Sequence, residues 1–208
     1  MELQYYGGNC LKISTKKASL IIDDTLADLG LSSITKADDI VLFTSVNDGQ
    51  AKAAKLIIDH PGEYEVSDIS VQGIAVRSHM DELGKRSATI FKVIADDIRT
   101  VITGHIHPDL TDDELEAIGT VDVLVVPVGG NGYTLDGTGA LKVIRKIEPK
   151  LIIPTHFNDK KIKYPAPQQD LETALKGLAM EPKETVPRLK LKPADLTETT
   201  QLIILERQ

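Results

Sequence analysis

The sequence predicts an α/β fold, on three observations. The first half is a succession of short segments rich in Val, Ile, Tyr and Thr, the pattern of a strand meander. The second half alternates apolar strands with amphipathic helical stretches, which implies parallel strands packed under helices. Four apolar strands also run into loops of small polar or ligand-type residues: DIVLFT into SVNDGQ, RTVIT into GHIHP, DVLVVPV into GGNGYT, and KLIIP into THFND. Loops beyond the carboxyl ends of sheet strands are where α/β proteins place their sites, so these four endings predict one common pocket.

Strands are expected first at LQYY (3–6), CLKIST (10–15), SLIIDD (19–24), DIVLFTS (39–45) and KLIID (55–59), then at EYEV (63–66) and the alternating DISVQGIAVR (68–77). SATIFKVIA (87–95) and IRTVITG (98–104) flank Asp96-Asp97, which reads as a tight hairpin. The helix over 111–119 opens on a Thr cap, carries acids in its first turn and stops at Gly119. DGTGALKVIRKIEP (136–149) sets Leu141, Ile144 and Ile147 on one face and ends before Pro149. A third helix is expected over 166–179, and the chain closes on the strand TQLIILER. No repeat and no linker divides the chain, so residues 1–208 read as one domain.

Bulk properties exclude some functions. The net charge of −7 argues against a nucleic-acid or anionic-membrane surface, since both need a positive field. The basic runs KKIK (160–163) and RLKLK (188–192) read as solvated edge residues. The single cysteine, Cys10, forbids an intrachain disulfide and reads as a buried small hydrophobe. With no signal-like N-terminus and no apolar run long enough to span a bilayer, the expectation is a cytoplasmic protein.

Five histidines are present, and VITGHIHP places two of them, His105 and His107, where a strand runs out. Alternate residues of an extended segment point to opposite sides, so only His105 is expected to face the pocket. His60 precedes Pro61 and reads as a turn residue. Asp23 and Asp24 follow an apolar strand and are candidates for orienting neighbours, and Gly129, Gly130 and Asn131 for presenting backbone N–H groups.

Several blocks in order, GGNCLKIST, IIDHPGEYEVSDISVQGI (57–74), LTDDELEAIGTVDVLVVPVGGNGYTLD and KLIIPTHF, resemble the metallo-β-lactamase superfamily, and within it the small intracellular metal-dependent hydrolases related to ascorbate-phosphate lactonase. The resemblance covers nearly the whole chain and implies a four-layer αββα sandwich with the site at one edge. It also implies a His-x-His-x-Asp-His loop whose side chains hold two metals that activate water. Here that loop reads Ser45-Val46-Asn47-Asp48-Gly49-Gln50, with no histidine in it. His105 falls where the family has a bridging aspartate, so the pocket is expected to have lost that anionic charge. His156 matches the family's final ligand, and His79 matches a histidine found in that branch.

The resulting expectation is a remodelled pocket of Ser45, Asn47, Asp48, Gln50, His79, His105 and His156 in a degenerate member without the dinuclear metal site. Such a protein would bind or scaffold an unidentified ligand or protein, as a homo-oligomer or alone, and need no cofactor. The competing expectation is a hydrolase with one divalent metal, such as zinc, on His79, His105 and His156, acting on a small phosphorylated or lactone-like substrate. Ser45 beside a histidine is a weaker, metal-free alternative. An RNA-processing relative is opposed by the acidic charge.

Overall fold

The computed structural model describes residues 1–208. Two sheets face each other. The six-stranded sheet contains β1 (Glu2–Gly7), β2 (Cys10–Ser14), β3 (Ser19–Ile22), β4 (Ile40–Leu42), β5 (Leu56–Ile58) and β13 (Leu189–Lys190), in the spatial order β13-β1-β2-β3-β4-β5. The eight-stranded sheet contains β6 (Gly62–Val66), β7 (Ile69–Val76), β8 (Ala88–Ala95), β9 (Ile98–Ile102), β10 (Val123–Pro127), β11 (Leu151–Thr155), β12 (Glu184–Val186) and β14 (Gln201–Leu205). Its order is β12-β14-β11-β10-β9-β8-β7-β6. The meander β6 to β9 is antiparallel, whereas β9, β10 and β11 run parallel, as the change from meander to strand–helix alternation requires.

Burial follows directly from the residue pattern. β1 alternates half-buried and buried positions, because only one face meets the opposite sheet. β10 (VLVVP) and β11 (LIIPT) are buried at every position, because helices cover their second face. One apolar cluster, including Leu11, Ile22, Leu42, Phe91, Val125 and Ile153, fills the space between the sheets. A second joins the eight-stranded sheet to helices α1 (Asp112–Ile118), α2 (Gly137–Ile147) and α3 (Leu171–Leu178). Helices α2 and α3 approach closely at a glycine pair, where a Cβ on Gly177 would stand 3.0 Å from the Gly137 Cα.

The helix ends agree with the residues that predict them. Thr111 and Glu114 form a reciprocal capping box on α1, and Asp136 accepts from the Gly139 N–H at 2.7 Å to cap α2. The third helix starts later than 166 because Asp170 is its cap, accepting from the Thr173 N–H at 2.7 Å. Asp96 and Asp97 both have positive φ, the backbone of a tight primed turn. Strands β12 and β13, of three and two residues, are too short to show a period and were not expected.

The outer layer over the six-stranded sheet is coil, not helix. Leu26, Leu31 and Ile34 cover Cys10, Ile21, Val41 and Phe43 there. One carboxylate organises that loop: Asp24 Oδ2 accepts from Ser33 Oγ (2.7 Å), Ile34 N (3.0 Å), Thr35 N (2.9 Å) and Thr35 Oγ1 (2.6 Å). No helix is long and apolar enough to cross a membrane.

Candidate functional site

The carboxyl ends of β3, β4, β9, β10 and β11 open onto one cleft of about 390 Å³. Its base is braced by a buried contact between the sheets. Asp23, at φ 47° just after β3, accepts from the Thr44 N–H (2.7 Å) and from Thr44 Oγ1 (2.6 Å). Opposite stands Gly104, at φ 60° just after β9, where a Cβ would collide with Thr44 Oγ1. Glycine is required there both for that approach and for the left-handed backbone. Burial raises the Asp23 pKa to about 6, against the two Thr44 hydrogen bonds, which favour the carboxylate.

Two histidines meet on the other wall. The rings of His105 and His156 are 4.6 Å apart, edge to face, and Tyr133 lies 4.9 Å from His105 in the same manner. Tyr164 extends the cluster at 4.8 Å from His156. His156 holds φ 56°, fixed by its backbone N–H donating to the Gly8 carbonyl (2.9 Å) and by its ring Nδ1–H donating to Gln168 Oε1 (3.1 Å). That bond leaves Nε2 of His156 as the lone-pair nitrogen. Burial, reinforced by the neighbouring His156, lowers the His105 pKa to about 3, and burial lowers that of His156 to about 4. Both imidazoles are therefore neutral at pH 7, and Nδ1 of His105 is buried without a hydrogen-bond partner.

Five of the seven residues expected in the pocket line this cleft: Ser45, Asp48, Gln50, His105 and His156. Asn47 does not. Its Oδ1 accepts from the N–H groups of Gly49 (3.0 Å) and Gln50 (2.9 Å), closing an Asx turn that faces a neighbouring cavity with His60 and Arg86. His79 does not either. It follows β7, donates its backbone N–H to the His105 carbonyl (2.8 Å), and lines a separate cavity of about 140 Å³ with Asn131, Thr134 and Asp136. His107 caps its own loop, Nδ1 accepting from the Asp109 N–H at 3.2 Å.

Asn9, Asp28 and Tyr133 also line the cleft and were not singled out from the sequence, and Lys163, read within KKIK as a solvated edge residue, lines it too because the chain after β11 folds back over the strand ends. Tyr133 sits in the strand-end loop GGNGYT, so extending the strand-end argument to its last residues would have found it. Asp28 carries no such signal. The cleft is also not stripped of negative charge, as the loss of a bridging aspartate suggested. Asp23, Asp28 and Asp48 all line it, supplied by other loops.

The donor set does not fit a dinuclear centre. No group of three or more His, Cys, Asp or Glu side chains is placed to share a metal ion. Of the three-histidine set, only His105 and His156 come together. The Asp23 carboxylate at the base is already bound through both oxygens by Thr44. Structural and catalytic zinc sites use at least three protein ligands, and hydroxyl and amide oxygens from Ser45 and Gln50 replace imidazole poorly.

Two facing sheets, helices over one of them and a cleft at the strand ends define a metallo-β-lactamase-type sandwich. A family profile for the β-lactamase superfamily domain matches residues 2–156, and the chain belongs to that superfamily. It is 24% identical over 179 residues to a UPF0173 protein of Pyrococcus abyssi, covering 76% of this chain and 83% of that one. A UPF0173 metal-dependent hydrolase of Carboxydothermus hydrogenoformans is 48% identical over 44 residues, which spans only 21% of this chain and 19% of that relative. A metallo-β-lactamase superfamily structure from Thermotoga maritima superposes with a TM-score of 0.77 at 22% identity, covering 100% of this chain and 99% of its own. Igni18, a metallo hydrolase of Ignicoccus hospitalis, gives 0.63 at 18% identity over 99% of this chain and 94% of its own. At these identities the structural likeness speaks for the fold.

Proposed function

We propose that this metallo-β-lactamase-fold protein uses its cleft to bind a small polar ligand and does not carry out two-metal hydrolysis. One observation carries this reading. The loop that should supply most of the metal ligands offers Ser45, Asp48 and Gln50 to the cleft, and the facing wall adds only two imidazoles. The cleft remains a formed, braced cavity of ligand-sized volume. The single buried cysteine is compatible with a cytoplasmic setting.

The second reading is a hydrolase with one divalent metal. It is favoured by the buried, unpartnered Nδ1 of His105 beside His156, and by relatives named metal-dependent hydrolases. In that reading His105 and His156 would hold the metal, which would supply Lewis-acid activation of water.

Metal content separates the two. Protein purified without a histidine tag or chelator, beside a His105→Ala/His156→Ala variant checked by circular dichroism, is assayed for transition metals by mass spectrometry. The expected result is far less than one metal per chain in both. Near-stoichiometric metal in the wild type, absent from the folded variant, overturns the first reading and establishes the second.

A further inference from the structure

We infer that this chain assembles with further copies of itself head to tail, the acidic open side of one sandwich pairing with the basic open side of the next. The contact lies apart from the cleft and does not depend on what the cleft binds, since none of the residues it uses lines the cleft.

A sandwich that does not close into a barrel leaves strand edges open on two sides. Here one side carries β5 and β6, joined by residues 59–61, and the other carries β12 and β13, joined by Pro187 and Arg188. The register shows which backbone groups are free. Ser67 and Asp68, both at positive φ, close the β6–β7 hairpin as a two-residue turn, so Val66 and Tyr64 bond to β7. Glu63 and Glu65 therefore aim their N–H and C=O groups away from β7, which leaves four groups free for another strand. On the opposite side Leu191 exchanges both bonds with Met1, so Lys190 faces outward in the same way.

Charge selects the partner strand. Glu63 and Glu65 stand exposed on the outer face of one edge, and Arg188, Lys190 and Lys192 on that of the other. Glu2, 3.9 Å from Arg188, offsets one of the three bases. Pairing either edge with its own kind sets like charges opposite each other, which is unfavourable. An antiparallel pair of β6 with β13 instead sets Lys190 opposite Glu63 and Arg188 opposite Glu65. The inner faces agree with that register, because Leu189 and Leu191 beside β1 and Tyr64 on β6 all face the core between the sheets. That core is incompletely closed at both sides. Leu56, on the inner face of β5 with Ile58, is 38% exposed, and a crevice of about 240 Å³ lined by Leu189, Leu191, Leu196 and Ile203 opens beside β13. Abutting the two sides brings the leucine to the crevice, so apolar burial adds to the edge hydrogen bonds. The two edges differ, so the contact is heterologous and propagates beyond two copies.

Sedimentation velocity and light scattering on the whole chain test this. At low ionic strength and up to about 1 mM protein, the mean mass should exceed twice the 22.7 kDa of one chain. It should fall towards that value as salt screens the pairs. Glu63→Lys/Glu65→Lys and Arg188→Glu/Lys190→Glu, all at exposed positions, should each weaken assembly at least about tenfold. Mixing the two variants in equal amounts should restore it, because each then offers the other an edge of opposite charge, and restoration also shows that both are folded. A wild type that stays monomeric overturns the proposal, as does a dimer that neither reversal weakens. Failure of the two variants, folded by circular dichroism, to assemble when mixed overturns it as well.

Discussion

The two walls of the cleft are built differently. The wall carried by the eight-stranded sheet is buried and interlocked, with His105 and His156 packed edge to face, His156 tied to Gln168, and Gly104 set tightly against Thr44. The rim after β4 consists of Ser45 to Gln50, mostly exposed, held by an Asx turn and one hydrogen bond to Asp28. The difference teaches where change is tolerated. Substituting an exposed rim residue disturbs few contacts, whereas each group on the buried wall is fixed by several others.

Four perturbations can break or sharpen this contrast. The largest effect is expected at Gly104→Ala. The new Cβ meets Thr44 and the left-handed backbone is retained, so stability should fall by about 3 kcal/mol or more. Gly49→Ala on the rim, whose nearest contact would be Lys52 at 3.4 Å, should cost about 1 kcal/mol from backbone strain alone. Denaturant melts of the two variants decide it, and equal losses would mean that the walls are equally tight.

Next is the pH dependence of Asp23. Its folded pKa of about 6 lies above the unfolded value of 3.8, so its contribution is full below pH 3.8 and is lost as pH rises through 6. Relative to Asp23→Asn, the wild type should gain roughly 1.4 kcal/mol per pH unit on going from about pH 6 to pH 4. A flat difference across that range would show that Asp23 is not held in a poorly solvated site.

Gln168→Leu should cost about 1–2 kcal/mol, because it strips the acceptor from the buried Nδ1–H of His156. Nitrogen NMR of that ring should show the tautomer no longer fixed, and an unchanged tautomer would assign the orientation to the aromatic neighbours instead. The smallest effects are expected at Ser45→Ala and Asp48→Ala, within about 0.5 kcal/mol by thermal melting. A large loss at either would make the rim structural.

Much of the fold was legible in local sequence. Thr111 and Glu114 announced a helix start, Asp96-Asp97 a hairpin, and the strand endings the place of the cleft. The site was legible only in part. His79 and His156 both looked like ligands, but the register after β7 turns His79 into another cavity. Asn47 looked like a pocket residue until its side chain was seen to close its own turn. Asp28 left no trace, because a single acid in a loop looks the same whether or not it borders a cavity.

The sequence by itself determined the elements, their order and the edge of the sandwich at which the site lies, because capping, turn chemistry and hydrophobic period act over a few residues. Only the tertiary structure decided which side chains share the cleft. Asn9 meets Thr155 across 146 positions of chain, and Gly104, after β9, meets Thr44, after β4. Such meetings are fixed by how two sheets pack, which no local pattern encodes.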